Sequence, residues 1–507
     1  MNTSWSDGYV ADSEYVPGFY KEQVPNHLDL ACILSGFEPP RRAPGWAYCD
    51  LGCGQGATLL VLAAANPDGQ FIGVDFNPSH IARAQSVAQS AGLSNIFFLE
   101  ASFEELAANP SKLPPLDYVA AHGVYSWIGE RSRHAFVELL RARLKPGGAA
   151  YISYNAQPGW NRISPLQRVL LDQARLSGKP SSQAVVDGVA FLRSLEAAGA
   201  PCLAVPDVLE RLETEIKRGN TTYLAHEYLN ANWQPRYHAD VAKEVAEAKL
   251  SYAASANLLE NFPELSLLPA QIAVLEAAPP AARETLRDYF MARSFRRDIF
   301  LRGPRRLLHD EREARVRDMP LLLLRALRHT SRKVDVPVGQ IELDVAPYDA
   351  IFQRLTDGPA RIADLLAASS AAGTSAVEVA GMLVGSGQAE IYRHTSSESA
   401  RAFNHIALHE MPLASGGVTP VAAPAIGGGV HFRLFDRLVL SALLAGVAAE
   451  AEAVSAHAWG ALCNRGVRLT QAGREVTTDS DNLAILRSET AEVLSDGLPV
   501  WRRLGLV

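Results

Sequence analysis

One stretch constrains this chain more than any other. A short apolar run, Tyr48–Leu51, leads directly into Gly52-Cys53-Gly54-Gln55-Gly56, and a helix-length apolar segment, Ala57–Ala65, follows at once. A strand, a glycine-rich turn and a helix in that order form the opening unit of a parallel α/β sheet, because the glycines let the backbone turn tightly and let a ligand approach it. The texture then repeats to about Tyr154. Strands are predicted over Phe71–Asp75, Ile96–Leu99, Asp117–Ala121 and Ala149–Tyr154, with helices over Pro78–Ser90 and Arg131–Leu144 between them. Such alternation predicts a doubly wound, Rossmann-like sheet with helices on both faces.

The rest of the chain reads differently. Residues 1 to about 40 read as a helical cap on the sheet domain. From about Pro165 to Lys333 the pattern is helical with no convincing strand, and Val241–Leu250 and Glu284–Leu301 carry apolar residues at helical spacing. Beyond that, Tyr348–Leu355, Arg361–Leu366 and Thr374–Val384 followed by Glu390–Arg393 make a helix–turn–helix–strand pattern, and Ser415–Gly429 reads as a loop. The expected domains are therefore 1–165, 166–333 and a mainly α, winged-helix-like 334–507, in keeping with 507 residues, more than one core usually serves.

Charge narrows the ligand. The glycine loop satisfies the dinucleotide fingerprint literally, but a pyrophosphate at that turn would meet Asp50, two residues before the first glycine. A phosphate-free nucleoside carrying a sulfonium and an ammonium, S-adenosylmethionine, is attracted there instead. Asp75, ending the second strand, suits the two ribose hydroxyls of either cofactor. The expected cofactor set is Asp50, Gly52, Cys53, Gly54, Gly56, Asp75 and Phe76, with Ser102, Phe103, His122 and Tyr20. After the fourth strand comes His122-Gly123-Val124-Tyr125-Ser126-Trp127, and after the fifth Tyr154-Asn155 and Pro158-Gly159-Trp160, all at the strand ends where open α/β sheets hold their sites. Methyl transfer from a sulfonium is an in-line displacement that needs positioning more than acid–base power. A lysine acceptor, with an ordinary pKa near about 10.4, must also lose a proton, and an apolar aromatic pocket beside a cation favours that loss. His122, Tyr125, Trp127, Tyr154 and Trp160 are the candidate catalytic residues, with His122 a candidate proton acceptor.

These residues resemble the bacterial methyltransferases that carry a methyltransferase regulatory domain, a group that includes the lysine methyltransferases acting on outer-membrane proteins. The likeness continues in Tyr223-Leu224-Ala225-His226-Glu227-Tyr228-Leu229, in Asp288-Tyr289-Phe290 and in Arg293-Ser294-Phe295-Arg296, spanning roughly residues 9–305. The resemblance implies a cofactor domain, a helical middle and a C-terminal domain, with Tyr15, Phe19 and Tyr20 closing over the cofactor. It also implies an acid that contacts adenine where this chain has Ser102. The family covers several acceptors, so protein lysine, a small molecule and cofactor binding without turnover all stay open.

The remaining features exclude more than they assign. A formal net charge of −7, and a candidate reading helix at Thr374–Val384 without lysine or arginine, argue against nucleic acid. The C-terminal region is instead expected to contact protein, either holding substrate or pairing two copies as a homodimer. The arginines from Arg293 to Arg306 are expected on a solvated, salt-bridged helix face. Five scattered cysteines, and His226-Glu227 without a second histidine, give no metal site. Leu438–Ala449 is too short for the about 20 residues of a membrane span. With a polar start and no signal pattern, the expected location is the cytoplasm.

Overall fold

The computed structural model describes residues 6–13, 18–203, 205–369, 374–393, 398–410, 419–471 and 474–507. At the N-terminus residues 6–13 form a strap of turns and bends, and residues 18–24 lead into the helix α1 (Pro25–Leu34). The α/β unit follows as β1 (Ala47–Leu51), α2 (Ala57–Ala65), β2 (Gln70–Asp75), α3 (Pro78–Ser90), β3 (Ile96–Glu100), α4 (Phe103–Ala108), β4 (Leu116–Ala121), α5 (Glu130–Arg143) and β5 (Leu144–Asn155). Strands β1–β5 are mutually parallel, and β1, β2, β4 and most of β5 are buried on both faces, which explains their near-continuous apolar runs, while the edge strand β3 leaves Phe97 exposed. Tyr48, Phe71, Tyr118 and Tyr151 pack on one face; Cys49, Ile72, Val119 and Ile152 pack on the other.

The middle segment is not all helix. Five helices come first: α6 (Ser164–Ser177), α7 (Ser181–Ala197), α8 (Pro206–Lys217), α9 (Thr221–Tyr228) and α10 (His238–Ala246). Then β6 (Leu250–Ser255) enters the sheet, followed by α11 (Pro263–Ser266), α12 (Pro269–Ala277), α13 (Pro280–Met291) and β7 (Phe295–Arg302). The result is a seven-stranded sheet of order β3-β2-β1-β4-β5-β7-β6, in which β7 runs antiparallel to both neighbours. Two helical readings are thereby corrected. The helix within Val241–Leu250 stops at Ala246, and Lys249 at φ 64° turns the chain into β6; the helix within Glu284–Leu301 stops at Met291, and Ala292 at φ 45° turns it into β7.

The charges in β7 hid its strand character. Arg296 and Asp298 are fully buried on one face, two residues apart as strand geometry requires. Arg296 donates to Asp298 at 2.9 Å, to Asp288 at 2.6 Å and to Glu284 at 2.8 Å, while Arg293 meets Glu260 at 3.0 Å. Arg293, Arg296, Arg297 and Arg305 are paired with acids as expected, but Arg293, in the turn before β7, and Arg296, within β7, are interior residues and not a solvated helix face. Burial opposes ionisation of Asp298, yet Arg296, His238 and Tyr154 together hold its carboxyl well below the usual range.

In the last third, α14 (His309–Asp318) precedes β8 (Pro320–Leu323), and β9 (Lys333–Val336) with β10 (Gly339–Glu342) forms a hairpin. Then come α15 (Val345–Thr356), β11 (Ala360–Arg361), α16 (Ile362–Ala368), α17 (Ala376–Gly385) and β12 (Ala389–Ile391), with the antiparallel sheet β11-β8-β12 completing a winged-helix-like module. Helix α17 is buried along its length, and a Cβ on Gly381 would lie 2.5 Å from the Phe262 ring, so this helix is packed into protein. Four longer helices end the chain: α18 (Glu398–Glu410), α19 (Leu434–Leu444), α20 (Ala451–Cys463) and α21 (Asp479–Leu504).

The described part of Ser415–Gly429 is a hairpin, not a loop: β13 (Thr419–Ala423) pairs antiparallel with β14 (Gly428–Phe432). Its reason lies some 360 residues away in sequence. Helix α2, apolar all round, needs cover on its outer side. The hairpin gives it, lying so close that a Cβ on Gly429 would stand 2.6 Å from Val61, while Asn66 donates to the Gly427 carbonyl at 2.9 Å. No helix among the described residues is long and apolar enough to cross a membrane.

Candidate active site

A cleft of about 1440 Å³ opens at the C-terminal ends of the parallel strands. Its floor is the turn between β1 and α2. Gly52 sits at φ 84°, where an added Cβ would lie 2.4 Å from Val124, so the backbone passes there only as glycine. Gly54, at φ 54°, has open space where a side chain would stand and donates its N–H to Asp75 at 2.9 Å. The other Asp75 oxygen accepts from the Asn77 N–H at 2.9 Å, which fixes the carboxylate at the rim of the cleft.

Asp50 is the decisive group. It lines the cleft, is 5% exposed, and its Oδ1 is buried without a hydrogen-bond partner. Burial, with the charge of Asp75 adding to it, pushes its carboxyl up to about 7. An orphaned buried carboxylate oxygen is costly unless a donor or cation arrives. The donor set here, a lone acid at the first strand end and a second acid at the ribose position, fits a cationic nucleoside. A phosphate group would add charge repulsion to that cost.

Of the expected cofactor residues, Cys53, Phe76, Ser102, Phe103, His122 and Tyr20 also line the cleft, whereas Gly56 (φ 72°) faces the Phe98 ring behind it. Ser102 caps α4: its hydroxyl accepts from the Glu105 N–H at 3.2 Å, and its own N–H donates to the Glu105 carboxylate at 2.8 Å. With that hydroxyl committed to the cap, Glu100 and Glu104 are the nearby acids, besides Glu105 itself, that line the cleft. Glu100 directly follows Leu99, where the third strand was expected to end, so its acid was visible in the sequence although its orientation was not.

The aromatic segment divides. His122, Trp127 and Trp160 line the cleft. The His122 Nδ1 stands 2.8 Å from the Tyr151 hydroxyl, and the Tyr20 ring stacks on His122 with centroids 3.7 Å apart. Burial, helped by Arg297, pushes the imidazole down to about 3, leaving a neutral ring that is a poor proton store. Trp160 donates to the Ser294 carbonyl at 2.8 Å. Tyr125 and Tyr154, in contrast, do not line the cleft. Tyr125 donates to Glu244 at 2.5 Å and Tyr154 to Asp298 at 2.6 Å, both as buried supports of the strand ends.

Distant segments close the cleft. The strap carries Tyr9, whose ring lies 5.7 Å from Phe76 and 6.2 Å from Trp127. It is tied to the middle segment by the Gly8 carbonyl accepting from Ala231 at 2.9 Å and by Val10 donating to Asn230 at 2.9 Å. Tyr15 lies outside the described residues. Phe19 packs away from the cleft against His431, at 5.5 Å. From α9 come Tyr223 and Glu227, and from the start of β7 come Phe295 and Arg297. Sequence reading had Tyr20 but not Tyr9, and it had the Tyr223–Leu229 and Arg293–Arg296 segments only as family likeness.

The lining is electronegative: Asp7, Asp50, Asp75, Glu100, Glu104, Glu105, Glu130 and Glu227 stand against Arg131 and Arg297. The Arg297 guanidinium lies 3.9 Å from Glu22 and 5.0 Å from the Phe295 ring centroid.

Comparison with known proteins agrees with this geometry. A family described as a methyltransferase domain matches residues 43–188, and one described as a predicted methyltransferase regulatory domain matches residues 220–302. A protein of Synechocystis sp. is 32% identical over 512 residues, covering 99% of this chain and 100% of its own. A Rickettsia prowazekii protein is 28% identical over 285 residues, 54% of this chain and 48% of that one. Among solved structures, PKMT2 from Rickettsia typhi in complex with AdoHcy has a TM-score of 0.70 at 18% identity, covering 97% of this chain and 99% of that chain.

Proposed function

Since the chain belongs to the bacterial S-adenosylmethionine-dependent methyltransferases that carry a regulatory domain, we propose that it methylates lysine side chains of proteins. The observation that carries this reading is the cleft lining: acids far outnumber arginines, and aromatic rings wall the space between them. Such a lining attracts a cationic amine and repels a polyanion, which opposes a nucleic-acid acceptor. Rings can also hold an ammonium on its way in.

The cofactor, when bound, supplies an activated methyl group on a sulfonium. The chain's own residues do the rest. Asp50 holds the cationic end of the nucleoside, and Asp75, fixed by two backbone donors, takes the ribose hydroxyls. Tyr20 stacked on His122, with Trp127 and Trp160, narrows the space beside the methyl group and excludes water. Because His122 is a poor proton store, the lysine proton is lost to solvent before the amine enters, and the rings and the adjacent sulfonium favour the uncharged amine. The five unpaired cysteines support a cytoplasmic setting.

Incubating the protein with methyl-labelled S-adenosylmethionine and bacterial protein extracts tests the proposal. Label is expected in protein, with mass shifts on lysine residues. Label confined to small molecules, or cofactor binding without any product S-adenosylhomocysteine, refutes it.

A further inference from the structure

The sequence motif Tyr223-Leu224-Ala225-His226-Glu227-Tyr228-Leu229 has so far no part in the chemistry. In the fold it is α9 and its cap, an element of the region matched as regulatory, yet one of its faces forms part of the cleft wall. Tyr223 and Glu227 are four residues apart, so they lie on the same side of the helix, and both line the cleft. The opposite side carries Leu224, Ala225 and Tyr228, which are buried in the core of the helical middle segment. His226 supports the strap: its Nε2 is 3.0 Å from the Ser13 carbonyl, and its ring lies 5.5 Å from Tyr9. The helix is thus held on two sides while Tyr223, 40% exposed, stays at the cleft mouth.

We infer that Glu227 is the acceptor-recognition residue, the carboxylate that meets the incoming lysine ammonium, with Tyr223 beside it as the outer ring of the entry. This rests on the lysine reading above and deepens it. Glu227 stands apart from the cofactor acids in the chain, on a separate element, and so can do different work in the same cleft. The charge of Glu227 is felt at the Tyr9 hydroxyl, after that of Asp75, and at the Tyr20 hydroxyl, together with those of Glu22 and Asp50, and in each case it adds to burial in pushing the phenol upward. Glu227 thus shares the ring-walled space with the two acids, Asp50 and Asp75, that take the nucleoside. Arg297, which also lines the cleft, has the Glu22 carboxylate 3.9 Å away, which offsets part of its charge toward an ammonium. The amine is selected in its charged form at Glu227, gives up its proton to solvent at the cleft mouth, and enters among the rings as the neutral nucleophile. On this account the segment matched as regulatory supplies part of the substrate site.

The test uses the full-length protein, methyl-labelled S-adenosylmethionine, and a peptide library in which each member has one central lysine. The Glu227→Gln variant is expected to raise KM for the peptides about tenfold or more, the scale of one lost charge-assisted contact, with kcat changed less than about threefold. Calorimetric affinity for S-adenosylhomocysteine should stay within about twofold of wild type, and Glu227→Asp should recover most of the loss. An unchanged KM in Glu227→Gln overturns the inference while leaving the lysine reading intact. A parallel fall in S-adenosylhomocysteine affinity also overturns it, since Glu227 would then belong to the cofactor. Wild-type protein that binds S-adenosylhomocysteine but labels no lysine peptide refutes the lysine reading, and the inference falls with it.

Discussion

The two ends of the cleft are built in opposite ways. At the cofactor end, Asp50, Gly52, Gly54 and Asp75 come from one strand–turn–helix–strand unit, and the bonds between them are local. At the end we propose for the acceptor, Tyr9, Trp127, Trp160, Glu227 and Phe295 come from five separate segments, held by contacts that span most of the described chain up to β7. A local site can be assembled by a short piece of sequence, while a composite one exists only when the whole fold is in place. Each end should therefore fail in its own manner.

The largest effect is expected beneath the acceptor end. Asp298→Ala leaves Arg296 buried with a missing partner and frees the Tyr154 hydroxyl beneath the β5 strand end. Breaking a buried pair in this way costs about 3–5 kcal/mol. A large fall in the thermal midpoint is expected, with methyl transfer lost along with the fold, and calorimetry of unfolding measures it. A midpoint close to wild type would show that β7 does not organise this end.

Next comes the cofactor end. Asp50→Asn removes the charge but keeps the shape, and affinity for S-adenosylmethionine should drop by about 10–150-fold, the value of a hydrogen bond to a charged group. The pH dependence follows from its carboxyl being pushed up to about 7. Only the ionised form attracts a cation, so affinity should rise about tenfold between pH 6 and pH 8 and lose that slope in Asp50→Asn. In the cofactor-free protein the sign reverses for stability. A group whose folded pKa lies above its unfolded value stabilises the fold while protonated, and that contribution fades as pH rises to 7. A flat affinity profile in the wild type would deny Asp50 its part.

The smallest effect separates capping from binding. Ser102→Ala removes the N-cap of α4 and should cost about 1 kcal/mol of stability, read as a shift in denaturant midpoint. Affinity for the cofactor should be nearly unchanged, because the Ser102 hydroxyl serves Glu105. A tenfold loss of affinity would show that this hydroxyl contacts the nucleoside after all.

Much of the local architecture was legible beforehand. Helices α2 and α3 have the residues read from the sequence, and strands β1–β4 differ by a residue or so at their ends, since parallel strands, three of the four buried on both faces, leave unmistakable apolar runs. Strand β7 was not legible: its Arg296 and Asp298 look like surface charge until Asp288 and Glu284 are brought beside them. Strand β13 and its partner β14 were hidden by Pro420, Pro424 and the glycines Gly427–Gly429, which signal a loop unless the helix they cover is known. The same limit split the candidate site. Nothing local distinguishes Trp127, which reaches the cleft, from Tyr125, which turns the other way to Glu244.

The sequence by itself determined the nature of the first ligand, because a carboxylate at a strand end and glycines in the next turn fix both the charge and the backbone shape that a cofactor meets. The tertiary structure alone decided what stands opposite it. Which aromatic rings face the cleft, which arginines are silenced by buried acids, and that Glu227 of α9 shares a chamber with Tyr9 and Tyr20 all depend on long-range packing. Charge and ring type are written residue by residue, but direction and neighbours are set only by the elements that close around them.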